Sequence, residues 1–380
     1  MDFGFSEEQE MLRASARRFL AAECATTLVR RMMADATAHD PELWRKLAGL
    51  GWTGLVIPEE HGGQGGSFLD LVVVLEEMGR ALLPGPFFAS ALGGTMPLVE
   101  GGSPAQQAAL LPRIARGELV VSLAIAEADG RFDAGGIQLR ARPDATRSGG
   151  LVLGGEKHFV PDAHVADLLI VAARSGGAGE RGVTLCLVDP RGPGVTVRAL
   201  RTADMTRRVC RVALEDVHVA PDRILGTAGE GWPILRRTLD LAITGLAAEM
   251  VGTAQQALDR AVAYAKERVQ FGRPIGSFQA IKHKCVDMMM AVENARSLAY
   301  YAAWAVSERA PEAAQAVPMA KAYASDVVKQ VTSEAIQVHG GIGFTWEHDM
   351  HLFHRRALAQ EAAFGSAPMH REEVARALGL

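Results

Sequence analysis

The chain has 380 residues, which at roughly 150 residues per domain predicts two or three domains, each able to bury its own core. Its 40 Lys and Arg residues against 44 Asp and Glu give a formal charge of −4, so no broad basic surface is available to neutralise nucleic-acid phosphates. The longest apolar stretches, such as 168–173, fall far short of the roughly 20 residues that a membrane helix needs. We therefore expect a soluble protein that neither binds nucleic acid nor spans a membrane.

The first 117 residues are predicted to be helical. Ser6 followed three residues later by Gln9 is typical of a capping box at a helix start. Asp40 before a proline predicts a second start, and Ser67 predicts a third helix that ends near a proline. The sequence thus predicts an N-terminal α-helical domain over 1–117.

The residue pattern of the sequence changes at Glu118. Short β-branched segments separated by Gly, Pro or Asp predict a β-barrel or sandwich domain over 118–226. Long Ala-rich segments then predict a C-terminal four-helix bundle over 227–380. The predicted long helices of that bundle cover 232–268, 279–308, 312–338 and 346–363, with a short final helix. Because helices and strands do not alternate, we expect an α+β fold with separate helical and β layers.

The cysteine pattern and the N-terminus predict a cytoplasmic location. The four cysteines lie far apart without a C-x-x-C pair, which suggests neither a zinc site nor a disulfide framework. The N-terminal MDFGFSEEQE is acidic where a signal peptide would be basic and then apolar.

Four segments carry distinctive residue patterns: 123–133 (LAIAEADGRFD), 157–163 (KHFVPDA), 268–279 (RVQFGRPIGSFQ) and 337–343 (QVHGGIG). In the third segment the guanidinium of Arg268 offers a planar donor fork to a phosphate. In the fourth, consecutive glycines expose backbone N–H groups to a ligand. In their order, and over essentially the full length of the chain, these segments resemble the acyl-CoA dehydrogenase family of FAD-dependent flavoproteins.

By this resemblance, the first two segments line the flavin. The backbone of Ile125 and Ala126 would run under the ring system, and Phe159 with Val160 would lie beside it. Both segments depart from the family pattern, because Ala126 and Pro161 replace threonines that contact the flavin, and proline also lacks the N–H donor. The alternative for Phe159 is ordinary core packing, the usual place of a phenylalanine in a strand.

The resemblance assigns the other two segments to the FAD diphosphate and adenosine. Arg268 and Gln279 would bind the pyrophosphate across a subunit interface, and the glycine pair would meet the adenosine end of FAD on the neighbouring subunit. The residues assigned in this way are Arg268, Phe271, Gln279, Gln337, Gly340 and Gly341. A helix C-cap is the alternative for Gly340, and both roles are compatible.

The general base of the family is missing from this sequence. The family reaction removes the proton α to the thioester, which requires a base. Phe364 stands where much of the family has the Glu of a Y-E-G-T segment, and 239–243 (LDLAI) replaces the other location, L-D-x-E-R. Glu249 and Glu361 are the remaining candidates, with a structural partner as the alternative for each. The N–H of residue 364 can polarise a thioester oxygen without its side chain.

Three further likenesses resemble base-lacking subunits of heteromeric actinobacterial acyl-CoA dehydrogenases: 78–86 (MGRALLPGP), 247–252 (AAEMVG) and 343–352 (GFTWEHDMHL). Three hypotheses remain open: a dehydrogenase subunit that desaturates an acyl-CoA thioester at the α,β position, a non-catalytic partner subunit, and a flavin monooxygenase on the same fold. The resemblance implies bound FAD, an acyl-CoA substrate from lipid or steroid catabolism, and an electron-transfer flavoprotein or similar acceptor. It also implies a homo- or hetero-oligomer.

Histidines occur at 348, 351 and 354, a spacing that on one helix brings ring nitrogens together. No carboxylate or thiolate completes a ligand set, and the family uses no metal. We therefore expect no metal site and interpret these residues as a solvated or CoA-facing histidine face.

Overall fold

The computed structural model describes residues 5–380, so residues 1–4 at the start of the acidic N-terminal segment lie outside it. The chain divides into two compact units. The first unit joins the segment that ends at Arg31 to Phe68–Leu83 and Ile243–Leu380, and the second joins Met32–Ser67 to Pro84–Ala242.

The helices begin and end close to the predicted positions. The capping box is confirmed: the Ser6 hydroxyl accepts the Gln9 N–H at 3.2 Å, and the Gln9 side chain accepts the Ser6 N–H at 3.2 Å. The Asp40 carboxylate likewise accepts the first N–H groups of the third helix. In chain order the helices are α1 Glu7–Glu23, α2 Thr26–Ala34, α3 Pro41–Gly49, α4 Phe68–Ala81, α5 Thr95–Gly101, α6 Pro104–Ala115, α7 Trp232–Glu267, α8 Gln279–Ser307, α9 Ala313–His339, α10 Met350–Ala362 and α11 Ala367–Ala377.

The first unit is helical. Helix α9 packs against α8, α10 and α11, and α1 packs against α4. Alanines and valines fill the buried face of α9, which lets the neighbouring backbones approach closely. The predicted long helices are confirmed, except that the fourth begins at Met350 rather than at residue 346.

Helices α4 and α7 cross within this unit at two glycines. A Cβ atom on Gly79 would lie 2.1 Å from the carbonyl oxygen of Glu249, and one on Gly252 would lie 1.9 Å from that of Glu76. Real Cβ atoms essentially never approach other atoms closer than 3.0 Å. Only glycine is therefore compatible with this separation of the two helices.

The second unit is built on a mixed β sheet, with α3, α5 and α6 beside it in the same unit. Its strands run in the order β6-β7-β3-β2-β4-β5-β8, and β1 pairs in parallel with β4. Strands β1 and β5 are buried throughout and β4 is buried in all but its last residue, as expected for mostly apolar runs. The strands are β1 Val121–Ala124, β2 Arg140–Pro143, β3 Leu151–Pro161, β4 Leu168–Arg174, β5 Val183–Val188, β6 Val195–Ala199, β7 Val209–Val219 and β8 Ile224–Leu225.

A small hairpin joins α7 to α8 in the first unit. Its strands are β9 Val269–Gln270 and β10 Arg273–Pro274, paired antiparallel around a two-residue loop. Both loop residues, Phe271 and Gly272, have positive φ angles of 53° and 77°, which is the pattern of a type I′ turn.

Within the described residues, none of the helices combines the length and apolar character needed to cross a membrane.

Candidate cofactor and active site

The backbone predicted to contact the flavin, residues 125 and 126, directly follows β1. Hydrogen bonds from β3 hold it at the point where the bulge in β3 begins. The Lys157 ammonium donates to the carbonyl oxygen of Ile125 at 2.7 Å, and the His158 N–H donates to that of Ala126 at 2.9 Å. Ile125, Ala126 and Lys157 are all buried. The two carbonyl groups therefore have fixed positions beside β3.

The carboxylate of Glu127 closes this arrangement. Its Oε1 accepts from Lys157 at 2.8 Å and from the N–H groups of Gln138 and Leu139, each at 2.7 Å. Burial lowers the pKa of Lys157 to about 8, while the Glu127 carboxylate acts in the opposite direction. Glu127 belongs to the segment 123–133 that resembles the family, but its pairing with Lys157 is not predictable from the sequence pattern.

Phe159 lies in a β-bulge rather than in a regular strand. The pairing of β3 with β7 shifts between Lys157 and Val160, and Phe159 has a φ angle of 54°. Such a conformation is rare and strained for a bulky residue. The bulge leaves the Phe159 side chain 47% exposed while Val160 stays buried, which excludes the core-packing alternative for Phe159.

The hairpin between α7 and α8 presents the Arg268 segment to solvent. The Ile275 N–H donates to the carbonyl oxygen of Arg268 at 2.8 Å, which closes the base of the hairpin. A Cβ atom on Gly276 would lie 2.8 Å from a backbone oxygen of α7, so this position requires a glycine. Phe271 is 92% exposed at the tip.

A cavity of about 490 Å³ brings Arg268 together with the glycine-rich segment. Gly340 ends α9 with a φ angle of 65°, which confirms the predicted C-cap. Neither Gly340 nor Gly341 would place a Cβ near other atoms, so the cavity is open at their backbone. The lining residues are Tyr264, Arg268, Gln270, Ile275, Val338, His339, Gly340, Gly341 and Ile342. A guanidinium beside exposed glycine backbone fits the chemistry of a dinucleotide diphosphate.

Other members of the predicted set lie outside this cavity. Gln279 is the exposed first residue of α8, Gln337 is exposed on α9, and Phe271 points away at the hairpin tip. These exposed residues are not brought to the Arg268 cavity within one copy of the chain.

Sequence reasoning missed the aromatic wall of the cavity. The rings of Tyr264 and His339 stack with centroids 4.5 Å apart, and the ring centroids of His339 and His348 lie 4.6 Å apart. The Nδ1 atom of His339 lies 2.7 Å from the carbonyl oxygen of Ala335, and burial lowers the His339 pKa. The histidine before the glycine pair in QVHGG was the available signal.

The three spaced histidines do not share one helical face. His348 precedes α10 and contacts His339, whereas His351 stacks on Trp346 at 4.7 Å. The Nδ1 atom of His354 lies 3.0 Å from the hydroxyl oxygen of Thr332. The expected placement of all three on one helix is therefore wrong. Within residues 5–380, no group of three or more His, Cys, Asp or Glu side chains is placed to hold a metal ion.

Phe364 occupies a strained turn directly after α10. It is half-buried with a φ angle of 56°, and its carbonyl oxygen accepts from the His370 ring at 2.9 Å. The fully buried Lys321 donates to the carbonyl oxygens of Glu361 and Gly365, at 3.0 and 2.9 Å. Burial lowers the pKa of Lys321 to about 7. Lys321 is not among the residues predicted from the sequence, although a lysine within an otherwise apolar helical segment is a signal for such a role.

Glu249 is fully buried in α7 at the crossing with α4. Its carbonyl oxygen accepts from the Thr253 hydroxyl at 2.9 Å. Glu361 is half-buried, and its carboxylate lies 3.5 Å from the ammonium of Lys329. The two candidate bases therefore differ in their surroundings, with Glu249 shielded from water and Glu361 paired near the surface.

Comparison with known proteins covers almost the whole chain. The acyl-CoA dehydrogenase N-terminal, middle and C-terminal domain families match residues 6–118, 122–217 and 229–379. The probable acyl-CoA dehydrogenase YngJ of Bacillus subtilis is 34% identical over 385 residues, with 100% of both chains covered.

Two solved structures are also similar. Butyryl-CoA dehydrogenase from Megasphaera elsdenii superposes with a TM-score of 0.92 at 31% identity, covering 100% of each chain. A structure described as the Tcur3481-Tcur3483 steroid ACAD G363A variant superposes with a TM-score of 0.88 at 30% identity, covering 98% of each chain. The expected order of an N-terminal helical domain, a middle β domain and a C-terminal helical domain is confirmed. The chain belongs to the acyl-CoA dehydrogenase family of FAD-dependent flavoprotein oxidoreductases.

Proposed function

We propose that this chain is a subunit of an acyl-CoA dehydrogenase that desaturates an acyl-CoA thioester at the α,β position, with Phe364 in place of the usual catalytic Glu. The observation that carries this proposal is the cavity shared by Arg268, Gly340 and Gly341. FAD would supply the acceptor for the hydride that leaves the β carbon.

Two parts of the chain would hold the cofactor. The backbone of Ile125 and Ala126 would face the flavin of this subunit's own FAD, while the Arg268 guanidinium and the backbone of Gly340 and Gly341 would bind the diphosphate and adenosine of the FAD on the neighbouring subunit. The exposed Phe159 and Val160 bulge would lie beside the ring system.

The exposure of Phe271, Gln279 and Gln337 supports an oligomer. These side chains would complete the FAD site of a neighbouring subunit, which is either a second copy of this chain or a related acyl-CoA dehydrogenase subunit. The partner subunit would then bury the three side chains that are exposed in a single copy.

Glu249 is the proposed base. A buried carboxylate is shielded from water, and this environment favours proton abstraction from carbon over exchange with solvent. Phe364 has no group that accepts a proton. Glu361 serves as the comparison, because its carboxylate is paired with Lys329 near the surface.

The test is an anaerobic titration of the purified, flavin-loaded protein with saturated acyl-CoA thioesters, monitored by the visible flavin band. We expect bleaching by at least one thioester, loss of bleaching in Glu249→Gln and retention in Glu361→Gln. Equal bleaching by Glu249→Gln and the native protein would reject Glu249 as the base.

The family resemblance favours a second candidate, a non-catalytic partner subunit, because it aligns Phe364 with the position of the usual base. The similar steroid ACAD structure carries two protein names, which supports a two-component assembly acting on a steroid-bearing acyl group. In that case the native chain binds flavin without bleaching, and Phe364→Glu gains bleaching because it restores a carboxylate. If the native chain consumed oxygen in the presence of a reductase, this result would instead indicate a flavin monooxygenase.

The remaining elements of the proposal concern organisation and partners. We place the domain boundaries at 117/118 and 226/227, just before β1 and α7. The electron acceptor would be an electron-transfer flavoprotein or a similar protein. A cytoplasmic location is supported by the four cysteines, which form no disulfide within the described residues.

A further inference from the structure

The two segments proposed to face the flavin are neighbours without being paired strands. Within the described residues, β1 pairs only with β4, and β3 pairs with β2 and β7. The connections across this break run from Ser122 to the Pro161 carbonyl, from Lys157 to the Ile125 carbonyl and from the His158 N–H to the Ala126 carbonyl. The relative position of the segments therefore depends on a few individual hydrogen bonds instead of a continuous ladder.

Lys157 makes the strongest of these connections. Its side chain is fully buried, and its ammonium bridges the Ile125 carbonyl and the Glu127 carboxylate at 2.7 and 2.8 Å. Bonds between an ionised donor and a carboxylate are about twice as strong as bonds between neutral groups. Glu127 extends the connection, because the same oxygen also accepts the N–H groups of Gln138 and Leu139.

We infer that the buried Lys157 and the part-buried Glu127 form an ionic staple that positions the 125–127 segment against the Phe159 bulge and balances charge beside the flavin. The inference rests on the proposed function, since that function places FAD against these segments. Lys157 and Glu127 are positioning residues here, because their contacts are with the backbone that would touch the cofactor.

The two halves of the staple have opposite electrostatic consequences. Reduction adds electron density to the flavin, so a nearby negative charge disfavours reduction and a positive charge favours it. Lys157→Met leaves the Glu127 carboxylate uncompensated and should lower the flavin reduction potential. Glu127→Gln leaves the buried lysine uncompensated and should raise the potential. A role limited to structure would move both potentials in the same direction or leave them unchanged.

The chain offers matched controls on the same strand. Glu156 precedes Lys157, is part-exposed, and forms an ion pair with Arg211 on β7; its carboxylate also lies 3.3 Å from Nε2 of His158. Glu156→Gln and Arg211→Met therefore remove the same charges from a pair that does not contact the 125–127 segment. Both controls should leave the flavin potential and the backbone of that segment unchanged.

Two measurements on the full chain test the inference. Hydrogen exchange should become at least about tenfold faster at 125–127 and at His158 in Lys157→Met and Glu127→Gln. It should remain native at 125–127 in both controls, and also at His158 in Arg211→Met. Redox titration of the flavin-loaded variants should give shifts of opposite sign. Native exchange in both staple variants, or potential shifts of the same sign, would overturn the inference.

The test remains decisive if one arm fails. If Lys157→Met does not fold, Glu127→Gln alone must show both the faster exchange and the raised potential. If the native chain binds no flavin, the proposed function fails, and the exchange data still decide whether the staple holds the segment.

Discussion

Replacing Gly79 by alanine should destabilise the helical unit through a single contact. The added Cβ would lie 2.1 Å from the Glu249 carbonyl oxygen, where atoms normally stay beyond 3.0 Å. The obstructing atom belongs to the backbone of α7 and cannot rotate away, so the two helices must separate.

The expected loss of stability follows from two opposing effects. Overpacking a well-packed site costs about 1–3 kcal/mol, and a rigid backbone obstacle favours the upper end of that range. Alanine has a better helix propensity than glycine, which returns about 1 kcal/mol. We therefore expect a net loss of about 2 kcal/mol in the free energy of unfolding, or about 4–8 °C in melting temperature for a unit of this size.

Thermal unfolding followed by circular dichroism measures this change. Gly49→Ala is the matched control, because Gly49 is also helical and its Cβ would meet no atom within 4 Å. The control should melt at or slightly above the native temperature. A native melting temperature for Gly79→Ala would refute the close helix crossing and, with it, the buried position assigned to Glu249.

Three further predictions concern the site. Arg268→Met should weaken FAD retention by about 10–100-fold, since a hydrogen bond to a charged group is worth about 1.5–3 kcal/mol, and equilibrium dialysis measures the loss. Gly340→Ala should cost about 1–3 kcal/mol in thermal unfolding, because its φ of 65° and ψ of −142° form a backbone conformation that is nearly restricted to glycine, although no atom obstructs the Cβ; an unchanged melting temperature would contradict this. Lys321 has a pKa of about 7 in the folded chain and its ordinary, much higher pKa in the unfolded chain. Above pH 7 the unfolded chain therefore binds a proton that the folded chain has lost. The free energy of unfolding should rise with pH in this range by up to about 1.4 kcal/mol per pH unit. In urea unfolding from pH 6.5 to 9.5, Lys321→Met should lose the part of this slope that begins near pH 7 and keep the part that Lys157, with a pKa of about 8, contributes at higher pH, whereas Lys329→Met should keep both parts.

Local sequence patterns were sufficient to predict most helices and strands of the fold. The capping box at Ser6 and the proline-led start at Asp40 predicted helix starts that the structure contains, because these signals act within one turn of the chain. The β-branched segments likewise predicted strands between 118 and 226. The exception was the start of α10, where a histidine spacing compatible with a helix continued into an irregular segment before Met350.

By itself, the sequence determined the element order, the family resemblance and the absence of a carboxylate at position 364, since each is a property of residue identity and spacing. Only the tertiary structure decided that Lys157 is hydrogen-bonded to the 125–127 segment and Lys321 to the turn at Phe364. It also decided that Arg268 and Gly340 line the same cavity. These contacts join groups tens of residues apart, and whether a buried lysine finds an acceptor depends on how helices and strands pack. Periodicity and composition carry no information about such pairings, because they describe each segment without its neighbours.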